Sequence, residues 1–127
     1  MVDTDWAIHW LRGQPKVTER LASLQPEGLG LAVISLAELY EGVYGSTNPK
    51  QAESGLRNYL TGVEVLLVDE ATSQIFGRER GRLRAARRII SDFDLVIAAT
   101  ALQRNLTLLT NNRRHFEPIE GLQFESA

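Results

Sequence analysis

Along the chain, short apolar runs alternate with segments whose apolar positions recur every three or four residues. Residues 6–12 read as a helix with Ala7, Trp10 and Leu11 on one face, and GQP (13–15) breaks it. A second helix carries Val17, Leu21 and Leu24 at i, i+4 and i+7 and ends at QPEGLG (25–30). LAVI (31–34) suits a buried strand. SLAELYEGVYG (35–45) returns to helical spacing, with Leu36, Leu39, Tyr40 and Val43 on one stripe. TNP (47–49) opens another helix that runs to about Leu60, and VEVLLV (63–68) is the next strand. A helix from about 70 to 88 is predicted, although Gly77 and Gly81 weaken it. DFDLVIAATALQRN (92–105) is apolar nearly all round and predicts a buried helix. LTLL (106–109) and LQF (122–124) are short strands, and Val2 leaves room for only a very short first strand. Short apolar strands separated by helices predict an α/β fold with a mostly parallel sheet covered on both faces, a three-layer α/β/α sandwich. In such sheets ligands bind at the carboxyl ends of the strands.

Composition narrows the possibilities. At 127 residues one domain, spanning 1–127, is expected, and it is long enough to bury a core. The chain is 43% hydrophobic and 24% charged, an ordinary globular balance. Cysteine is absent, which excludes a disulfide framework and a thiolate metal site. No charged-then-apolar leader opens the sequence and no apolar run is long enough to span a bilayer, so a cytoplasmic protein without membrane partners is expected. The net charge of −2 conceals an asymmetry. Twelve of the fourteen basic residues are Arg, and six of those crowd into RERGRLRAARR (78–88).

The strand ends carry the candidate chemistry. Asp3, Thr4 and Asp5 follow the first strand, Ser35 and Glu38 follow LAVI, and Thr110, Asn111 and Asn112 follow LTLL. Asp92 and Asp94 open the buried helix. Each acid taken singly reads as a helix cap: SLAE (35–38) and SDFD (91–94) both have capping-box spacing. Taken together they point elsewhere. Three carboxylates within about 4–5 Å repel by roughly 4 kcal/mol per pair at an effective dielectric of about 20. A cap contributes only about 1 kcal/mol. Convergence would therefore require a cation or shared protons.

Four segments, in order and spanning nearly the whole chain, resemble the PIN-domain ribonucleases, and within them the VapC toxins of toxin–antitoxin pairs. VDTDWAIHWLRG (2–13) resembles the family's opening strand and helix, and ISLAELYEGVYGS (34–46) its second motif. DFDLVIAATAL (92–102) resembles the third, and LTLLTNNRRHF (106–116) the fourth, whose polar residue follows a threonine. A lone AEL would carry no weight, whereas four ordered motifs are specific. The resemblance places Asp3, Glu38 and Asp94 on the family's metal-binding acids. Asn112 falls where the family has a fourth acid or an Asn, and Thr110 on the motif's threonine. Asp5 falls where the family often has Asn, and reads as a helix N-terminal group with a secondary role at the metal. An Arg, 87 or 88, stands where many members have glycine.

What the resemblance implies is a PIN-like fold and a toxin that hydrolyses RNA to a 3′-hydroxyl and a 5′-phosphate. Oxygen-only donors suit Mg²⁺ or Mn²⁺. Asp3 and Asp94 would hold the ion, and Glu38 would orient or deprotonate the attacking water. A VapB-like antitoxin and a homodimer are the implied protein partners. Arg78, Arg82, Arg84, Arg87 and Arg88 could grip the RNA backbone, or form a solvated helix face paired with nearby acids. His9 and His115 read as packing or surface residues. Two rivals carry less weight. DTD after a strand suggests haloacid-dehalogenase-like phosphotransfer, but the apolar lead-in strand is missing and lysine occurs only at Lys16 and Lys50. A non-catalytic PIN-like module that binds RNA or protein is disfavoured by the retention of all three acids.

Overall fold

The structure, a computed structural model describing residues 1–127, is organised around a sheet whose central member is one residue. Val2 bridges Leu31 on one side and Leu109 on the other, both in parallel. Beyond Leu31 lie β1 (Gly30–Ala32) and β2 (Glu64–Leu66); beyond Leu109 lie β3 (Leu108–Leu109) and β4 (Phe124–Glu125). The order is β2–β1–Val2–β3–β4, parallel throughout, with Gly30 opposite Glu64 and Leu108 opposite Phe124. Side chains alternate across a strand, and two cores result. Val2, Leu31 and Leu109 join Trp6, Leu21, Leu39 and Leu56 from α1 (Thr4–Leu11), α2 (Pro15–Leu24), α3 (Val33–Tyr44) and α4 (Pro49–Leu60). On the other face Ala32, Leu66 and Leu108 join Leu83, Leu95 and Phe116 from α5 (Glu70–Ala85), α6 (Asp92–Gln103) and α7 (Arg113–Phe116). This is the three-layer sandwich expected from the pattern. No helix is long and apolar enough to cross a membrane.

Where elements differ from expectation, hydrogen bonding explains the difference. LAVI was expected to be extended over 31–34, but the strand stops at Ala32 because its neighbour β2 offers no partner beyond Leu66. Val33 already begins α3, so Ser35 is not a cap; Ala32 is the N-cap, without a side-chain bond. Ser35 sits inside the helix, its hydroxyl buried and unpartnered. VEVLLV shortens to Glu64–Leu66, because the chain opposite Leu67 has already turned into α3, and Leu67 and Val68 are left exposed. The first helix starts two residues earlier than predicted because Asp3 caps it, and Trp6 with Ala7, rather than Leu11, faces the core. Asp69 caps α5 by accepting from the Thr72 amide at 2.8 Å. That helix runs unbroken past Gly77 and Gly81, which face open space and so cost only propensity. It ends at Ala85, and Arg87 just beyond it adopts a left-handed φ of 55°, a conformation that favours glycine.

Candidate active site

Parallel strands deliver their carboxyl ends to one edge of the sheet, and the acids follow from that. Asp3 is the residue after Val2. Its backbone amide donates to the Leu109 carbonyl at 3.0 Å, so the sheet itself fixes its position. One carboxylate oxygen accepts from the Thr4 amide at 2.8 Å and caps α1. The other accepts from the Thr110 hydroxyl at 2.7 Å. The Thr110 oxygen in turn accepts from the Asn112 amide at 3.0 Å. Asp5 joins the same two segments: it accepts from the Trp6 amide at 2.8 Å and from the Asn111 amide at 2.9 Å. The Trp6 indole N–H completes the tie by donating to the Asn111 side-chain oxygen at 3.0 Å.

Glu38 arrives from the second turn of α3. With no capping duty, its carboxylate accepts from the Thr4 hydroxyl at 2.9 Å. Asp94 is in the first turn of α6, but the cap there is Ser91, whose hydroxyl accepts from the Asp94 amide at 3.2 Å. The Asp94 carboxylate is thereby left for other work and meets His115 Nδ1 at 3.1 Å. Asp3, Asp5, Glu38, Asp94, Asn112 and His115 all line one cleft of about 390 Å³.

The charge balance of this cleft is unfavourable without a partner. Asp3 is only 3% exposed. Burial pushes its carboxyl up to about 7, and repulsion from Asp5 and Asp94 adds to this against the bonds from Thr110 and Thr4. Glu38 is also raised, by burial first and then by Asp94 and Glu41, with its bond from Thr4 opposing them. No three acidic or imidazole groups meet at one point, as expected of carboxylates that repel one another. The donors are almost entirely oxygens, and their common need is positive charge. Both properties fit a hard divalent cation better than zinc.

A family model for the PIN domain matches residues 1–121. The chain belongs to the PIN-domain family. Ribonuclease VapC1 of Haemophilus influenzae strain R2866 is 33% identical over 127 residues, covering 98% of this chain and 95% of the relative. Ribonuclease VapC19 of Mycobacterium tuberculosis strain H37Rv is 36% identical over 126 residues, covering 97% and 96%. The crystal structure of VapBC2 from Rickettsia felis, bound to a DNA fragment from their promoter, aligns with a TM-score of 0.95 at 29% identity over 100% of this chain and 97% of that one.

Within this PIN domain the basic cluster divides. Arg82 pairs with Glu79 at 3.0 Å and donates to the Pro118 carbonyl at 2.7 Å. This pairing is the alternative expected for the cluster, an arginine matched with a nearby acid. Arg78, Arg84, Arg87 and Arg88 are exposed. Arg80, absent from the expected set, holds the loop before α6: it donates to the Ile90 carbonyl at 3.0 Å and to Asp92 at 2.6 Å. His115 is exposed as expected, but it also reaches Asp94. That contact joins residues 21 positions apart, and no local pattern signalled it.

The threonine at the centre of the network is testable by itself. Replacing Thr110 by Val orphans the Asn112 amide and one oxygen of Asp3. It should lower stability by about 2 kcal/mol, whereas Thr110→Ser should cost much less. Urea denaturation of the two variants reads the difference, and a Thr110→Val variant as stable as wild type beside a destabilised Thr110→Ser would show that methyl packing, not the hydroxyl, matters.

Proposed function

We propose that this PIN domain is a divalent-metal-dependent endoribonuclease and the toxin of a toxin–antitoxin pair. The observation that carries the proposal is the gathering of Asp3, Glu38 and Asp94, from three separate elements, along one cleft of a PIN fold. The relatives named VapC are ribonucleases, and the Rickettsia felis structure is of a VapBC assembly.

Asp3 and Asp94 would hold Mg²⁺ or Mn²⁺. The ion supplies Lewis acidity, neutralising charge on the phosphate and easing deprotonation of the attacking water. Glu38, raised above the usual carboxylate range, orients that water and accepts its proton. Asp5 and Thr110 keep Asp3 in place, and Asn112 offers an uncharged donor at the cleft wall. Asp94 is oriented by His115, leaving one oxygen of its carboxylate free. Arg78, Arg84, Arg87 and Arg88 hold flanking phosphates. The products are a 3′-hydroxyl and a 5′-phosphate. The toxin acts in the cytoplasm, forms a homodimer, and is silenced by a VapB-like antitoxin. The chemistry of the cleft favours a basic antitoxin side chain, Arg above all, to replace the cation.

The test is cleavage of structured RNA by the purified chain. Mg²⁺ or Mn²⁺ should support it, EDTA should abolish it, and Ca²⁺ should support it poorly because its looser coordination positions water less well. Cleavage that survives EDTA would overturn the metal assignment. Failure to cleave any RNA with either ion would overturn the enzyme reading.

A further inference from the structure

The acidic cleft has one apolar lining residue, Phe93, and the proposed chemistry leaves it without a role. It lies between Asp92 and Asp94 in the first turn of α6, where Leu95, Ile97 and Ala98 take the inward positions. Phe93 is 49% exposed. A single exposed apolar side chain is ordinary; an aromatic ring on the wall of a carboxylate-lined cleft is not. The approach to it is equally unusual. Ile89, on the loop leading into α6, is 93% exposed, and Arg87 and Arg88 stand exposed beside it with no acidic partner within ion-pair distance. The loop is nonetheless held: Arg80 grips both the Ile90 carbonyl and Asp92. The ring is therefore presented on a fixed backbone, on the wall of the cleft that holds the reacting groups, with Arg87 and Arg88 a few residues before it in the chain.

We propose that Phe93 is the stacking platform for an unpaired nucleobase next to the phosphodiester that is cut, with Arg87 and Arg88 taking the phosphate beyond it. The inference rests on the ribonuclease reading and adds a preference for unstacked, single-stranded nucleotides at that position. A π-face is offered by every base, so the ring selects for strand state more than for sequence. Bases held in an A-form duplex cannot present that face, whereas bases in loops can. The carboxylates disfavour an acidic peptide here, and the flanking arginines favour a polyanion.

The experiment uses the full chain and a short single-stranded RNA carrying one 2-aminopurine, with binding measured in Ca²⁺ and cleavage in Mn²⁺. Phe93→Ala should raise both Kd and KM about 10-fold and abolish the fluorescence quenching that stacking causes. Phe93→Trp should restore both, and Phe93→Leu, apolar but without a π-face, should resemble Phe93→Ala. A folded Phe93→Ala that binds and quenches like wild type would overturn the proposal. Full rescue by Phe93→Leu would do so too. Loss of self-association in sedimentation, with unchanged RNA affinity, would assign the ring to a second copy of the chain instead. Wild type that binds and quenches but never cleaves would remove the ribonuclease reading and leave the stacking platform standing.

Discussion

Asp94→Asn should lower RNA cleavage by about 10³-fold or more while leaving the melting temperature within about 2 °C of wild type. The division of labour at the start of α6 makes this outcome specific. Ser91, not Asp94, caps the helix, so the substitution leaves the helix terminus intact. Asn has the shape of Asp and can still meet His115, 3.1 Å away. What disappears is one negative charge from the cleft. Paired measurement of melting and cleavage separates the alternatives. A folded and active Asp94→Asn would remove Asp94 from the metal-binding set, and an unfolded one would return it to a structural role.

Asp3→Asn should stabilise the metal-free protein, and more so at pH 8 than at pH 5. The carboxyl sits at about 7 when folded against an ordinary 3.8. Between those values the folded state binds the proton more tightly than the unfolded state, so stability falls as pH rises through this window. The destabilisation is absent below about pH 4 and fully expressed above about pH 7. At about 1.4 kcal/mol for each tenfold change in proton affinity, the ceiling is about 4 kcal/mol. Loss of the charge-assisted bond from Thr110 offsets part of this, and a gain of about 2 kcal/mol at pH 8 is expected. Asn retains an oxygen for the Thr4 amide, so the cap on α1 survives. Mn²⁺ should raise the melting temperature of wild type at pH 8 and do so far less for the variant. Urea denaturation in EDTA at the two pH values is the measurement. A variant less stable than wild type at both would show that the bond to Thr110 outweighs the burial of charge.

Periodicity alone recovered the layers. The buried helix at 92–105 and the alternation of short strands with helices were visible because both faces of the sheet are covered, which leaves the inner strands β1 and β3 without a polar side chain. Strand ends were less readable. Whether Val33 and Ile34 extend β1 depends on how far its neighbour runs, and that is a property of residues 64–66 rather than of LAVI itself. The same nonlocal cause misled the capping-box reading of SLAE. Of the acids, Asp3 was read as a metal-site group and Asp5 as the helix N-terminal group, but the cap of α1 is Asp3 itself, whose oxygens divide between that cap and the cleft. His115 and Arg80 were missed as partners because each acts through a residue distant in sequence, Asp94 and Asp92 respectively. No local pattern encodes such pairs.

The bond between Asp3 and Thr110 spans 107 positions of the chain, and the ties from Asp5 and Trp6 to Asn111 span nearly as many. Asp3 is therefore held in place by residues that are synthesised more than a hundred positions after it. A chain interrupted before residue 108 carries Asp3, Glu38 and Asp94 but has neither the hydroxyl nor the amide that order the opening segment, and its central strand lacks a neighbour on one side. Contacts of such long separation form late. For a protein proposed to destroy RNA, activity would then arrive in one step, once residues 110–112 have been added. Partial products would be harmless to the cell that makes them, and the interval of synthesis would give an inhibitory partner time to be present when the cleft first closes.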